Sequence, residues 1–275
     1  MGKRILMGIL IAIVLVGVIL TSYWFDKVIF SVFLCIVIAL AVMEVRKALG
    51  ERIPRQFNLL IFLFAGCFGI PYFILGFTGV VLFTLLMFIC GCAIAVFNNF
   101  EAGVLQHFAF LLLYPALALS SMFFINRSYL NIVGLALVFL VSVCTDMFAY
   151  FVGVLCGKNK LCPHISPKKT VEGAIGGVFG GLFGAGVTFL IFEVFHWIVP
   201  GLPLPLGLKI FDYVAIGLFG AVCTQIGDLV ASMVKRNCGI KDYSHLLGSH
   251  GGIMDRFDGI MFNACFVALI FSFLV

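Results

Sequence analysis

Charge is what this sequence has least of. Only 11% of its 275 residues are Asp, Glu, Lys or Arg, and 63% are hydrophobic, whereas a soluble domain is about half apolar and about a quarter charged. That shortage excludes a water-soluble fold, because a chain of this length cannot hide so much apolar surface from water. Paired cysteines are absent too. The ten cysteines are scattered, most of them inside apolar runs, and no CxxC pair occurs, so they read as small packing residues with reduced thiols. Cys162 and His164 are too isolated to argue for a metal site. The basic start Met1-Gly2-Lys3-Arg4 runs into an apolar stretch without a small-residue cleavage site, which points to a first membrane span instead of a signal peptide. The myristoylation pattern fails because position 6 is not Ser or Thr but Leu. No internal repeat or low-complexity segment is evident. The 32 phenylalanines are lipid-compatible filler and carry no functional reading.

What is present is a series of apolar runs. A spanning helix needs about 20 mostly apolar residues, and nine candidates occur, at roughly Ile5–Tyr23, Val28–Ala48, Phe57–Leu75, Gly79–Val96, Val104–Phe124, Tyr129–Val154, Ala174–Val199, Tyr213–Val234 and Gly259–Val275. Helices satisfy every backbone group within one lipid-exposed segment, so an all-α polytopic membrane protein is expected. The boundary near residues 75–79, a short Gly-rich turn, is the least defined. With the N-terminus in the cytoplasm, fourteen of the seventeen Lys and Arg fall on cytoplasmic segments and only Lys27, Arg127 and Lys209 fall outside, as the positive-inside rule requires. Two of the cytoplasmic loops are long, about Leu155–Gly173 and Lys235–Asp258. The chain therefore divides into N-terminal scaffold helices (1–128) and a catalytic part (129–275) within a single membrane domain, with the active site at the cytoplasmic membrane edge.

Ionisable groups within spans are costly and call for a reason. Glu44, Asp146, Glu193 and Asp228 are the candidates. On the eighth span Thr224, Asp228, Ser232 and Lys235 fall on one stripe. A self-satisfied Asp–Lys pair is the plainer alternative; the hydroxyls and the following loop favour a site. On the sixth span Ser142, Asp146, Tyr150 and Gly153 share a face leading into the loop with Ser166-Pro167-Lys168-Lys169-Thr170. Lysines, hydroxyls and a helix N-terminus together make an anion cradle, although a basic loop facing anionic lipid reads equally well. The last loop holds His250-Gly251-Gly252-Ile253-Met254-Asp255-Arg256-Phe257-Asp258. The glycine pair lets backbone amides approach an anion closely. Asp255 and Asp258, three apart, share a face if the last helix has begun. Carboxylates beside a phosphate site imply Mg²⁺, and Arg256 is suited to grip a phosphate.

The stretch Ser232-Met233-Val234-Lys235-Arg236, then Lys241-Asp242, then His250 to Asp258 resembles the signature of the CDP-diacylglycerol synthases (phosphatidate cytidylyltransferases). Asp146 to Gly177, with Ser166 to Gly173, resembles the same family, as do Gln225 to Asp228, Glu44 and the basic N-terminus. The resemblance implies a nucleotidyltransferase that joins CTP to phosphatidic acid, giving CDP-diacylglycerol and pyrophosphate. It implies Asp228 and Asp255 as metal ligands, with Asp146 and Asp258 as second choices. It makes Ser232, Lys235 and Lys169 catalytic, Ser232 helping to position metal or phosphate. Lys168, Lys169, Lys235, Arg236, Lys241 and Arg256 would bind the triphosphate and the lipid phosphate, helped by Ser166, Thr170, Gly251 and Gly252. His250 would serve phosphate binding or loop geometry. Mg²⁺, with room for a second, monovalent cation, is the implied cofactor. The implied setting is a bacterial inner membrane, and the family suggests a homodimer; nothing points to nucleic acid. A CTP-dependent lipid or polyprenol kinase is the alternative, and the complete signature argues against it. A transporter is disfavoured, because no matching halves with broken helices are evident and the polar residues gather at one membrane face.

Overall fold

Long apolar runs with few charges have one way to satisfy their peptide groups in lipid, and they take it as helices. A computed structural model describes residues 2–128, 130–195, 205–248 and 251–274. Its helices are α1 (Gly2–Trp24), α2 (Val28–Leu49), α3 (Asn58–Cys67), α4 (Gly69–Phe97), α5 (Ala102–Leu111), α6 (Ala118–Arg127), α7 (Asn131–Cys156), α8 (Val171–Phe189), α9 (Leu206–Asn237) and α10 (Met254–Leu274). A π-helical stretch around Pro115, Leu112–Leu117, joins α5 to α6, and another, Leu190–Val194, extends α8; proline has no N–H to continue the regular ladder. Among the described residues, seven helical stretches are long and apolar enough to cross a membrane, one of them, Gly69–Phe97, interrupted at Gly76, and two shorter apolar ones are Ile13–Trp24 and Arg55–Cys67. The chain is thus a polytopic helical membrane protein. The expected end of the seventh segment, near Val199, lies outside the described residues.

Two expectations need adjustment. The third segment is not one regular helix over Phe57–Leu75; α3 ends at Cys67 and a turn at Phe68 leads into α4. The chain then reverses at Gly76, whose φ of 67° and ψ of −149° suit a residue without a Cβ. Phe64 stacks on Phe83 with ring centroids 5.7 Å apart, a contact that a straight helix through Gly76 would forbid. The second adjustment concerns the loop Leu155–Gly173, which is not plain coil. Strands β1 (Lys160–Cys162) and β2 (Ser166–Thr170) pair antiparallel, with Lys160 opposite Thr170 and Cys162 opposite Ser166. A hairpin lets this polar loop satisfy its backbone within itself.

The chain forms two compact units. One comprises residues up to Phe124 together with Cys238–Arg256; the other comprises Ile125–Asn237 and the segment from Phe257 onward. Cys238–Arg256 thus groups with the N-terminal helices. Within that unit the Arg46 guanidinium ties the end of α2 to α3. It donates to Asn58 Oδ1 (2.8 Å) and to the carbonyls of Gly50 (2.8 Å) and Ile53 (3.0 Å).

In the other unit α7 and α8 pack backbone to backbone along a glycine stripe on α8. A Cβ at Gly176 would meet Val152 at 2.6 Å, one at Gly184 would meet the Leu140 carbonyl at 2.7 Å, and one at Gly180 would run into the Cys144 carbonyl. Small residues are how helices gain close contact where lipid supplies no hydrophobic drive. A buried polar seam sits beside them. Asn263 Nδ2 donates to the Val138 carbonyl (2.9 Å) and to Ser142 Oγ (3.1 Å), and Ser142 Oγ lies 3.2 Å from Thr224 Oγ1. This seam fixes the rotation of α7, α9 and α10 about their axes, and so fixes where their acidic residues face.

Candidate active site

The register that buries Ser142 and Thr224 leaves Asp146 and Asp228, one turn further along α7 and α9, facing a cavity of about 480 Å³. Lys160, Lys168, Lys169 and Thr170 from the hairpin line it, as do Tyr150 and Gly153 of α7, Gly173 of α8 and Gln225 of α9. The volume lies within the usual range for small-molecule sites. Lys169 Nζ is 2.6 Å from Asp228 Oδ2, with the two side chains 26% and 33% exposed.

The hairpin is held in place by its own chemistry. Thr170 Oγ1 accepts from Gly173 N–H (3.1 Å) and so caps α8. The Glu172 carboxylate accepts from the N–H groups of Lys158 (3.1 Å) and Asn159 (3.2 Å) and from Asn159 Nδ2 (2.8 Å). Arg236 Nε reaches the Ile165 carbonyl at the hairpin turn at 3.4 Å. Gln225 Nε2 donates to the Ala174 carbonyl (3.2 Å), joining α9 to α8 beneath the cavity. Glu172 and Gln225 entered the sequence reading only as parts of a resemblance; their hydrogen bonds give them a structural task.

Asp258 on α10 lies within electrostatic reach of Asp228, Asp146 and Lys235, and its Oδ1 accepts from Gly259 N–H (2.8 Å). Asp146 and Asp228 thus share the cavity with Lys169 as counter-charge, and Asp258 lies outside its lining. Ser232 is half-buried one turn beyond Asp228 on α9, away from the cavity lining, and Ser166 stands on β2 opposite Cys162.

The remaining expected site residues belong to the unit containing α2. Lys241 and Arg256 are exposed. Asp255 Oδ2 accepts from the N–H groups of Tyr243 and Gly252, both at 2.9 Å. The amides near the glycine pair were expected to approach a substrate anion. In the structure Gly252 N–H donates to Asp255, and those of Ile253 and Met254 donate to Glu44. Both glycines leave room for these carboxylates. His250 lies outside the described residues.

The donor set fits Mg²⁺ in kind. Carboxylate oxygens are its preferred protein ligands, and it commonly takes only one or two of them beside water and phosphate oxygens. Among the described residues no group of three or more His, Cys, Asp or Glu is gathered closely enough to enclose an ion.

A model of the cytidylyltransferase family matches residues 6–274. This chain belongs to the cytidylyltransferase family. Curated relatives carry a more specific name. The chain is 42% identical over 144 residues to the phosphatidate cytidylyltransferase of Bacillus subtilis, covering 51% of this chain and 49% of that one. It is 38% identical over 169 residues to the phosphatidate cytidylyltransferase of Aquifex aeolicus, covering 61% and 58%. With the Staphylococcus aureus enzyme of that name it shares 44% over 126 residues, covering 45% and 43%. The matched part of this cytidylyltransferase-family chain spans about half the length of these relatives.

Proposed function

We propose that this chain is a phosphatidate cytidylyltransferase that converts CTP and phosphatidic acid to CDP-diacylglycerol and pyrophosphate. The observation that carries the proposal is the Lys169–Asp228 pair at 2.6 Å in a cavity lined by hairpin lysines, in a chain whose family match runs over residues 6–274.

The reaction brings two polyanions together, so charge neutralisation and alignment dominate it. Lys168 and Lys169 reach the cavity from a hairpin clamped by Glu172 and capped by Thr170, so they offer their charge from a rigid base. Lys235 and Arg236, in the last turn of α9, extend the positive field, and Lys241 and Arg256 are further proposed phosphate-binding groups. A phosphate oxygen of phosphatidic acid attacks the α-phosphorus of CTP. The new P–O bond forms as the bond to the β-phosphate breaks, and pyrophosphate leaves with the electron pair. The attacking phosphate is already ionised near neutral pH, so no side chain has to act as a strong base. Asp228 and Asp258, with Asp146, would hold a divalent cation, which when bound neutralises phosphate charge. Asp255, whose Oδ2 accepts from two backbone N–H groups, is a further proposed ligand.

The proposed setting is nine crossings with the N-terminus in the cytoplasm, the reaction at the cytoplasmic face of a bacterial inner membrane, and a homodimeric assembly. The charge asymmetry of the sequence supports the orientation. Purified protein in detergent, given CTP, phosphatidic acid and Mg²⁺, should release pyrophosphate and yield a lipid whose mass is that of CDP-diacylglycerol. A lipid product heavier by a single phosphate would instead support the CTP-dependent kinase reading.

A further inference from the structure

Glu44 is a buried carboxylate near the end of α2, 7% exposed, in a segment apolar enough to cross a membrane. Such a group requires a reason. Its partners among the described residues are one hydroxyl and two peptide N–H groups, with no lysine or arginine in ion-pair range. Ser244 Oγ donates to Oε1 at 2.6 Å, Ile253 N–H to Oε1 at 3.0 Å, and Met254 N–H to Oε2 at 2.8 Å. Both oxygens are thereby used on the segment that leads into α10. The first N–H groups of a helix have no partner within it and carry partial positive charge, so a carboxylate from another helix is a fitting cap. A Cβ at Gly252 would stand 2.5 Å from each Glu44 oxygen, and one at Gly251, whose φ is 78°, would stand 2.8 Å from Asp255 Oδ2. The two glycines exist where the two carboxylates must come close.

We propose that Glu44 is a positioning residue for the segment Gly251–Ile253 and the first turn of α10. It acts through Ser244, Ile253 and Met254, setting the start of α10 that carries Asp255 and Arg256, and takes no part in the bonds made or broken. The inference rests on the cytidylyltransferase reading for its effect on rate, but the clamp itself does not depend on it.

The test uses the full-length protein with Glu44→Gln, Gly252→Ala and the double variant. Three quantities are read: kcat and KM for CTP, amide hydrogen exchange over residues 251–256, and the thermal midpoint. In Glu44→Gln the side-chain NH₂ must face one of the donating N–H groups. Exchange at 253 and 254 should then accelerate about tenfold or more and kcat should fall about 10- to 100-fold, the scale of loss expected when reacting groups are displaced by about an ångström. KM should change less than kcat and the thermal midpoint should barely move. Gly252→Ala should give the same split. The double variant should be no worse than the poorer single one, because both remove one interaction. Wild-type kcat with accelerated exchange would overturn the proposal, and so would unchanged exchange in both single variants. Should Glu44→Gln fail to fold, Ser244→Ala removes one donor and keeps both N–H bonds, and must show a smaller shift in the same direction; no shift in kcat or exchange would count against the clamp. If the wild-type protein makes no cytidylyl lipid, the functional reading fails while the exchange data still decide the clamp.

Discussion

Lys169 Nζ and Asp228 Oδ2 meet at 2.6 Å, joining a β-hairpin to the middle of a 32-residue helix. This contact sets a cation beside a carboxylate in the cavity where we propose that substrate phosphates and a divalent cation bind. Each side chain is only partly exposed, so neither charge is fully screened by water. Removing the ammonium should therefore cost rate more than stability. Lys169→Ala should lower kcat about 100-fold or more, the scale for losing one electrostatic donor to a transition state, with a thermal midpoint close to wild type. Steady-state kinetics beside a thermal melt in the same detergent checks it.

If Asp146, Asp228 and Asp258 share an open cation site, chelation should stop turnover without unfolding the protein. Mg²⁺ added back should restore activity in wild type. Asp258→Asn should raise the Mg²⁺ concentration needed for half-maximal rate about tenfold, since Mg²⁺ sites rest on few carboxylates. An unchanged Mg²⁺ dependence would remove Asp258 from the site.

The helix pair α7 and α8 depends on the absence of side chains at Gly176, Gly180 and Gly184. A Cβ at Gly180 collides with the Cys144 backbone carbonyl, which cannot move without shifting α7. Gly180→Ala should destabilise the folded protein by about 1–3 kcal/mol, the usual cost of overpacking. It should lower activity as well, because Asp146 rides on the displaced helix. Gly186, with open space around its Cβ position, offers the control: Gly186→Ala should be neutral or slightly stabilising.

Gly76 adopts a backbone conformation that other residues reach only under strain. Gly76→Ala should cost about 1–3 kcal/mol, read as a lower thermal midpoint with kcat of the surviving protein unchanged, because this reversal lies in the scaffold part of the chain.

Much of this was legible beforehand. The apolar runs gave the helices, because peptide groups in lipid have no other local solution. The break between the third and fourth segments was expected near residues 75–79 and falls at Gly76, where only the handedness of the turn escaped the sequence. The stripe Thr224–Asp228 was readable from spacing alone. Its direction was not, since it depends on Asn263 and Ser142, which meet across 121 residues. The hairpin was missed because β1 and β2 are too short to show a two-residue alternation. The partners of the amides around the glycine pair were not legible: Gly252 N–H donates to Asp255 and those of Ile253 and Met254 to Glu44, a residue far away in sequence on α2. Glu44 stood out as a charge in an apolar run and as part of the resemblance, and periodicity could not say what it would hold.

The most direct measurement follows the label from CTP in two parallel reactions with phosphatidic acid, one carrying ³²P at the α-phosphate and one at the γ-phosphate. The account predicts that the α-label enters the lipid while the γ-label leaves in pyrophosphate, and that Asp228→Ala ends both transfers while the protein remains folded. Label from the γ-position in the lipid, or a wild-type rate in Asp228→Ala, would contradict it.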